Sequence, residues 1–173
     1  RYLMVLAIRL ILVFVRADFF NPLSQFIIKL TQFCVNPLRR IIPNVANIEL
    51  SCLVIFFVVE IIKFYLICII TAGVPHLAGV LVLALADGIK HFLNIFFYAI
   101  LAVAILSWVH AGYSPIMSML IKMTSPIMRP IQRIVPKIAG FDISPIPAML
   151  LLQLLIILIS PLFVTGTQMA LGV

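Results

Sequence analysis

Arg9, Glu60 and Lys63 stand inside apolar runs of the chain. A charge in hydrocarbon is costly, so such groups face the interior of a helix bundle or water, and they mark ion or proton paths. Glu60 and Lys63 are three residues apart, the spacing at which side chains on one helix meet. Two readings follow. In one, the pair lines an ion or proton path with Arg9 as a third charge; in the other, it neutralises itself and locks helix packing. Other chemistry is thinly supplied. The five carboxylates are Asp18, Glu49, Glu60, Asp87 and Asp142, of which Asp18, Glu49 and Asp142 fall at loop or cap positions. There is no G-x-S-x-G, H-E-x-x-H or phosphate loop and no paired-carboxylate site, so no catalytic residue is assigned and the protein is expected to be non-enzymatic. His76, His91 and His110 lie far apart, and Cys34, Cys52 and Cys68 are odd in number with no C-x-x-C. No metal, haem, disulfide or other cofactor is therefore expected, and the cysteines read as small residues of a membrane core.

The elements that must position these groups are membrane helices. Of 173 residues, 65% are hydrophobic and 10% charged, against about a quarter charged in a soluble domain. Such a chain cannot cover its surface with polar groups, so its solvent is lipid. The net charge of +7 sits beside apolar spans, where positive-inside bias and anionic lipid account for it without nucleic acid.

Apolar runs at residues 2–20, 51–72, 92–109 and 145–164 read as spans. The first is short against the roughly 20 residues a spanning helix needs. With no initiator methionine at Arg1, further residues are expected before it, and no cleavable signal peptide is read. Trp108 is placed as an interfacial anchor. Residues 74–86 are apolar but short, either a re-entrant or interfacial piece or a tilted span. The sequence Asp87-Gly88-Ile89-Lys90-His91 is expected to break that piece from the next span.

Between the spans a stretch is written twice. NPLSQFIIKLTQFCVNPLRRIIP, residues 21–43, recurs as SPIMSMLIKMTSPIMRPIQRIVP, residues 114–136, at a constant offset of 93. Asn21-Pro22 aligns with Ser114-Pro115, Pro37 with Pro130, Arg40 with Arg133 and Pro43 with Pro136; beyond the stretch, Glu49 and Ser51 fall on Asp142 and Ser144. An ungapped, proline-punctuated register reads as an internal duplication. Each copy begins with a capping residue and a proline at the first helical position. In the first copy Leu23, Phe26, Ile27, Leu30 and Phe33 recur at helical spacing opposite Ser24, Gln25, Lys29 and Gln32, the pattern of an amphipathic helix in the membrane interface. Asn36-Pro37 is expected to start a second, basic turn that Pro43 stops. Asp142 or Ser144, with Pro145, starts the last span.

The expected fold is an all-α membrane protein with about four transmembrane helices in two tandem repeats, each with an amphipathic interfacial helix between its spans. The boundaries are 1–73, a connecting apolar segment 74–91, and 92–173. If residues 74–86 do not cross, both basic stretches face one side. Positive-inside then places Lys29, Arg39, Arg40, Lys122, Arg129 and Arg133 in the cytoplasm. If they do cross, the repeats are inverted, as in many transporters. The first arrangement is the expectation.

The two copies, followed by FDISPIPAMLLLQLL, resemble the YggT family of small bacterial and plastid membrane proteins over nearly the whole chain. The family's Asp-Phe-Ser-Pro start of the following helix is matched by Asp142, Ser144 and Pro145; the first copy departs from it with Ile48-Glu49-Leu50-Ser51-Cys52. The resemblance implies a place in the bacterial inner membrane. Roles associated with relatives are osmotic tolerance and potassium uptake, division and nucleoid distribution, and, in plastids, haem attachment to a cytochrome. The leading expectation is a scaffold or assembly factor for a membrane complex or for cell-envelope and division organisation. Its partners are membrane lipids, anionic ones above all, with other membrane proteins or itself. The alternative is a potassium-uptake or osmotic-stress transport accessory using Glu60, Lys63 and Arg9, which would need to oligomerise. The repeated stretch is a lipid- or partner-binding platform, a structural elbow that fixes topology, or both.

Overall fold

The computed structural model describes residues 2–15, 22–39, 49–109, 114–135 and 143–172. Asn21, Arg40, Pro43, Pro136 and Asp142 lie outside them, and the side chains of Pro37, Arg39 and Trp108 are likewise outside what is described. Among the described residues there are six helices and no strand: α1 Tyr2–Phe14, α2 Pro22–Arg39, α3 Leu50–Ala72, α4 Leu77–Trp108, α5 Pro115–Ile134 and α6 Pro145–Leu171. Three stretches are long and apolar enough to cross a membrane, Leu50–Thr71, Leu77–Ser107 and Pro145–Leu171, and α1 is a shorter apolar helix. The chain is an all-α membrane protein. The duplication is visible in the element order: α2 and α5 start at Pro22 and Pro115, and each lies between two apolar helices.

Residues 77–91 are the first half of α4, with no break at Asp87-Gly88. A glycine inside a helix costs only about 1 kcal/mol relative to alanine. Here it makes room: a Cβ on Gly88 would lie 3.1 Å from the Phe56 ring and 3.3 Å from the Phe57 ring of α3. At about 1.5 Å per residue α4 is roughly 48 Å long, more than the ~30 Å of a hydrocarbon core, so one tilted or protruding helix absorbs the segment expected to stand apart. The first half of α4 needs a partner, and α6 supplies it by running on to Leu171 instead of ending near residue 164. Gly79 meets the Ala170 backbone, and Gly166 meets Leu83. The amide of His76 donates to the Ala170 carbonyl at 3.0 Å. The turn from α3 into α4 passes through Gly73 at φ +92°.

The prolines inside the repeats do not restart helices. α2 passes through Pro37 to Arg39, and α5 passes through Pro126 and Pro130. An internal proline removes one N–H and orphans the carbonyl four residues back. Ser125 resolves this for Pro126: its hydroxyl donates to the Lys122 carbonyl at 2.8 Å. Ser160 does the same for Pro161, donating to the Ile157 carbonyl at 2.7 Å. Ser125→Ala should therefore lower stability by about 1 kcal/mol, whereas the same change at Ser118, which precedes no proline, should cost less; thermal unfolding of the two variants in detergent checks this.

Three apolar clusters hold the bundle. Leu6, Ala7 and Leu10 of α1 pack with Val35, Cys52, Phe56, Ile95, Met119 and Met123, which joins α1 to α2, α3, α4 and α5. Ile100, Met128, Ala148 and Leu152 join α4, α5 and α6. Cys68, Leu83 and Ala170 join α3, α4 and α6 at the far end. Cys52 and Cys68 are buried free thiols. The inner face of α2 is small and polar, with Ser24, Thr31 and Val35 fully buried, while Phe26, Leu30 and Phe33 point outward beside Lys29. Ser24 of α2 reaches Met119 of α5, with Oγ 3.5 Å from Sδ. α2 and α5 thus touch, which puts both at the same end of the bundle. Inverted repeats would place them at opposite ends.

Candidate functional site

Arg9 does not join the Glu60–Lys63 pair. Its guanidinium makes a bidentate bridge to Glu49, with Nε donating to Oε2 at 2.8 Å and Nη2 to Oε1 at 2.7 Å, and Nη1 donates to Thr31 Oγ1 at 2.7 Å. The Arg9 and Glu49 side chains are 5% and 3% exposed. Glu49 immediately precedes α3 without capping it through its side chain. Glu60 lies 11 residues further on, about 16 Å along the helix. The two ionic groups are separate. This corrects both the reading of Arg9 as the third charge of a path and that of Glu49 as a simple cap. The bridge ties α1 and α2 to the start of α3. Thr31 and its copy Thr124 behave alike, each donating to a carbonyl four residues back, Ile27 at 2.8 Å and Leu120 at 2.9 Å. At the offset of 93, Ala102 stands where Arg9 does, so only the first repeat carries this bridge.

Glu60 and Lys63 do meet, and two residues of α4 join them. Lys63 Nζ bonds Glu60 Oε2 and Asp87 Oδ2. His91 Nδ1 lies 3.3 Å from Glu60 Oε1, 3.5 Å from Asp87 Oδ2 and 2.9 Å from the Asp87 carbonyl. Glu60 is fully buried, and its Oε1 accepts no hydrogen bond. The helices position the group simply. Asp87 and His91 are four apart on α4, Glu60 and Lys63 three apart on α3, and the two pairs face each other. The four residues lie roughly 15–22 Å from the 73–76 turn along their helices, well inside the ~30 Å of a hydrocarbon core. Asp87 and His91 were read as part of a helix break. Their i, i+4 spacing was the signal that they share a face, and it is legible only once Gly88 is read as helical. Lys90, between them in sequence, turns to α6 and lies over the Phe163 ring at 5.2 Å.

The second repeat has no matching charges in the span, since Gln153 and Ile156 replace Glu60 and Lys63. Its polar feature is on α5. Lys122, Ser125, Arg129 and Gln132 fall on one stripe and, with Ser107 and Thr124, line a cavity of about 320 Å³ between α4, α5 and the start of α6. A second hollow of about 360 Å³ on the α1 side shares Lys122, Ser125 and Arg129. Arg133 is exposed further along α5, and Lys29 is exposed on α2. Ser114 caps α5 by accepting from the Met117 amide at 3.1 Å, with Pro115 in the first turn. Ser144 and Pro145 begin α6, where the Ser144 side chain makes no capping bond.

The family model CCB3/YggT matches residues 1–70 and 82–163. The chain belongs to the CCB3/YggT family. The two matched segments correspond to the two repeats, because 1–70 displaced by 93 falls on 94–163. The chain is 43% identical over 145 residues to "Uncharacterized protein in proC 3'region" of Vibrio alginolyticus, covering 83% of this chain and 78% of that one. It is 36% identical over 156 residues to "Uncharacterized protein YggT" of Escherichia coli K12, covering 89% and 80%. It is 38% identical over 161 residues to "Uncharacterized protein PA0392" of Pseudomonas aeruginosa, covering 91% and 82%. No solved structure matches the chain. For this CCB3/YggT protein, chemistry has to be read from the α3–α4 charge group and the α5 groove.

Proposed function

We propose that this chain is a non-enzymatic protein of the bacterial inner membrane that scaffolds or assembles a membrane complex, or organises the envelope and its division. In this reading α2 and α5 form its cytoplasmic surface. The observation that carries it is the α5 groove. Lys122 and Arg129 stand with the hydroxyl of Ser125 and the amide of Gln132 in a cavity also lined by Val103, Ala104 and Met128, the last two buried. That combination suits an anionic lipid headgroup with its chains running along α4. Each basic residue near an anionic surface contributes about 1 kcal/mol. The outward Phe26, Leu30 and Phe33 of α2, beside Lys29, suit the same surface.

A second reading is favoured by the charge group between α3 and α4, since ionisable side chains inside a membrane bundle mark ion and proton pathways. It makes the chain an accessory to potassium uptake or osmotic-stress transport. The experiment separates the two. Protein extracted with native lipid should retain anionic phospholipid in native mass spectra, and Lys122→Glu with Arg129→Glu should weaken its retention by roughly thirtyfold or more, as expected for two lost contacts of about 1 kcal/mol each. Unchanged retention would remove the basis of the groove reading. Potassium flux from reconstituted protein, abolished by Glu60→Gln, would establish the second reading instead.

A further inference from the structure

We infer that Glu60, Asp87 and His91 form a binding site for a divalent first-row transition-metal ion, and that the Lys63 ammonium occupies the site when the metal does not. This assignment depends on neither functional reading above.

The ligand atoms are already gathered. One atom each from Glu60, Asp87 and His91 lies within 4.8 Å of the other two. In a tetrahedral centre with metal–ligand bonds near 2.0–2.1 Å, ligand atoms stand about 3.3–3.4 Å apart. His91 Nδ1 is 3.3 Å from Glu60 Oε1 and 3.5 Å from Asp87 Oδ2. Those two edges have nearly the right length with no backbone movement. Asp87 and His91 present the i, i+4 pair that helices use for metals, and Glu60 closes the set from the facing helix.

A second observation singles out the site. Glu60 Oε1 is fully buried, accepts no hydrogen bond and faces the cluster. A buried carboxylate oxygen that accepts no hydrogen bond, with His91 Nδ1 near it at 3.3 Å, is costly. Lys63 bonds the other Glu60 oxygen and Asp87 Oδ2, and leaves this one without a hydrogen bond. A metal would bond it directly. One imidazole nitrogen and two carboxylate oxygens suit ions such as Zn²⁺, Co²⁺ or Mn²⁺ better than potassium or magnesium, which take oxygen donors. His91 Nδ1 faces the Asp87 carbonyl at 2.9 Å, where only an Nδ1–H can donate to it; on metal binding the imidazole gives up that contact, keeps its proton on Nε2 and turns so that the Nδ1 lone pair takes the ion. The Phe56 ring, edge-on to His91 with centroids 6.4 Å apart, gives the imidazole an apolar backing.

Lys63 makes the site conditional. Its ammonium bonds Asp87 Oδ2, one of the oxygens in the metal triad, and so supplies positive charge where the ion would. Metal and ammonium compete for the same carboxylates. Lys63 is 30% exposed, whereas Glu60 is fully buried, so it is the lysine that has room to leave. A plain ion-pair network and a lysine-guarded metal site therefore make opposite predictions for removal of Lys63.

The test uses the full chain, free of affinity tag, in detergent micelles. Zn²⁺ is titrated by equilibrium dialysis, and Co²⁺ visible absorption reports nitrogen and oxygen coordination. One Zn²⁺ per chain is expected. Lys63→Met should bind Zn²⁺ more tightly, by roughly tenfold or more, and His91→Gln should weaken binding at least as much, on the scale set by loss of groups that support a metal site. Zn²⁺ should also raise the unfolding temperature of Lys63→Met, which binding of the ion to thiols and imidazoles of an unfolded chain would not do. No Zn²⁺ bound by either the parent or Lys63→Met would overturn the proposal. So would Zn²⁺ binding left unchanged by His91→Gln, or Zn²⁺ displaced by an equal concentration of Mg²⁺.

Discussion

Replacing Arg9 with methionine should destabilise the protein by about 3–5 kcal/mol, because it leaves the Glu49 carboxylate buried and unpaired. The bridge is bidentate, both side chains are almost fully enclosed, and the third guanidinium arm holds Thr31. Glu49→Leu should be similarly severe, since it strands the guanidinium. Arg9→Met combined with Glu49→Leu should recover most of the loss, as replacing a whole buried pair with apolar residues is often neutral or stabilising. Unfolding of the four proteins in mixed micelles forms a double-mutant cycle, whose coupling term should reach a few kcal/mol. Single variants with near-parental stability would show that water reaches the pair and that it does not hold α1 and α2 to α3.

The second large effect is expected at Gly79. A Cβ built there would lie 2.1 Å from the Ala170 amide nitrogen and 2.4 Å from its Cα. These are backbone atoms, so no side-chain rotation relieves the clash. Helices in lipid gain their association energy from close packing at small residues, which makes a forced separation of α4 from α6 especially damaging. Overpacking a tight contact typically costs 1–3 kcal/mol, and Gly79→Val should reach or exceed about 3 kcal/mol by the same argument. Separating these helices also breaks the bond from His76 N–H to the Ala170 carbonyl. Gly73→Ala is the contrast: φ is +92° but nothing lies within 4 Å of the added Cβ, so only backbone strain of about 1 kcal/mol is expected. Thermal unfolding in detergent ranks the two, and equal effects would contradict the close approach.

Much of this architecture was legible in the residues. The ungapped offset between residues 21–43 and 114–136 located α2 and α5, and Ser114-Pro115 marked a helix start that the Ser114 hydroxyl does cap. The limits of reading came where tertiary packing overrode local signals. Gly88 and Pro126 are breakers by type. Gly88 is retained because it fits against Phe56 and Phe57, and Pro126 because Ser125 covers the orphaned carbonyl. Neither compensation is visible from the breaker alone. The Ser-Pro dipeptides at 125–126 and 160–161 were the available hint. Partners of the buried charges were harder to find. Glu49 is 40 residues from Arg9, and Asp87 is 24 from Lys63, distances over which sequence spacing carries no information about contact. The inward turn of Ser24 and Thr31 on α2 also defeats the usual rule that the apolar stripe faces the core. For α2 the outside is compatible with lipid, so Phe26, Leu30 and Phe33 can point away from the bundle.

The proposed platform needs α2 and α5 on one side of the membrane, and the contact of Ser24 with Met119 supports that. Ser24 itself is buried, so the reporters belong at the exposed positions Gln25 and Arg133. In a background without native cysteines, Gln25→Cys and Arg133→Cys should react with a membrane-impermeant maleimide from the same side. Both should be labelled in inverted inner-membrane vesicles and both protected in intact spheroplasts. Labelling of the two cysteines from opposite sides would contradict the parallel repeats and the shared surface built on them.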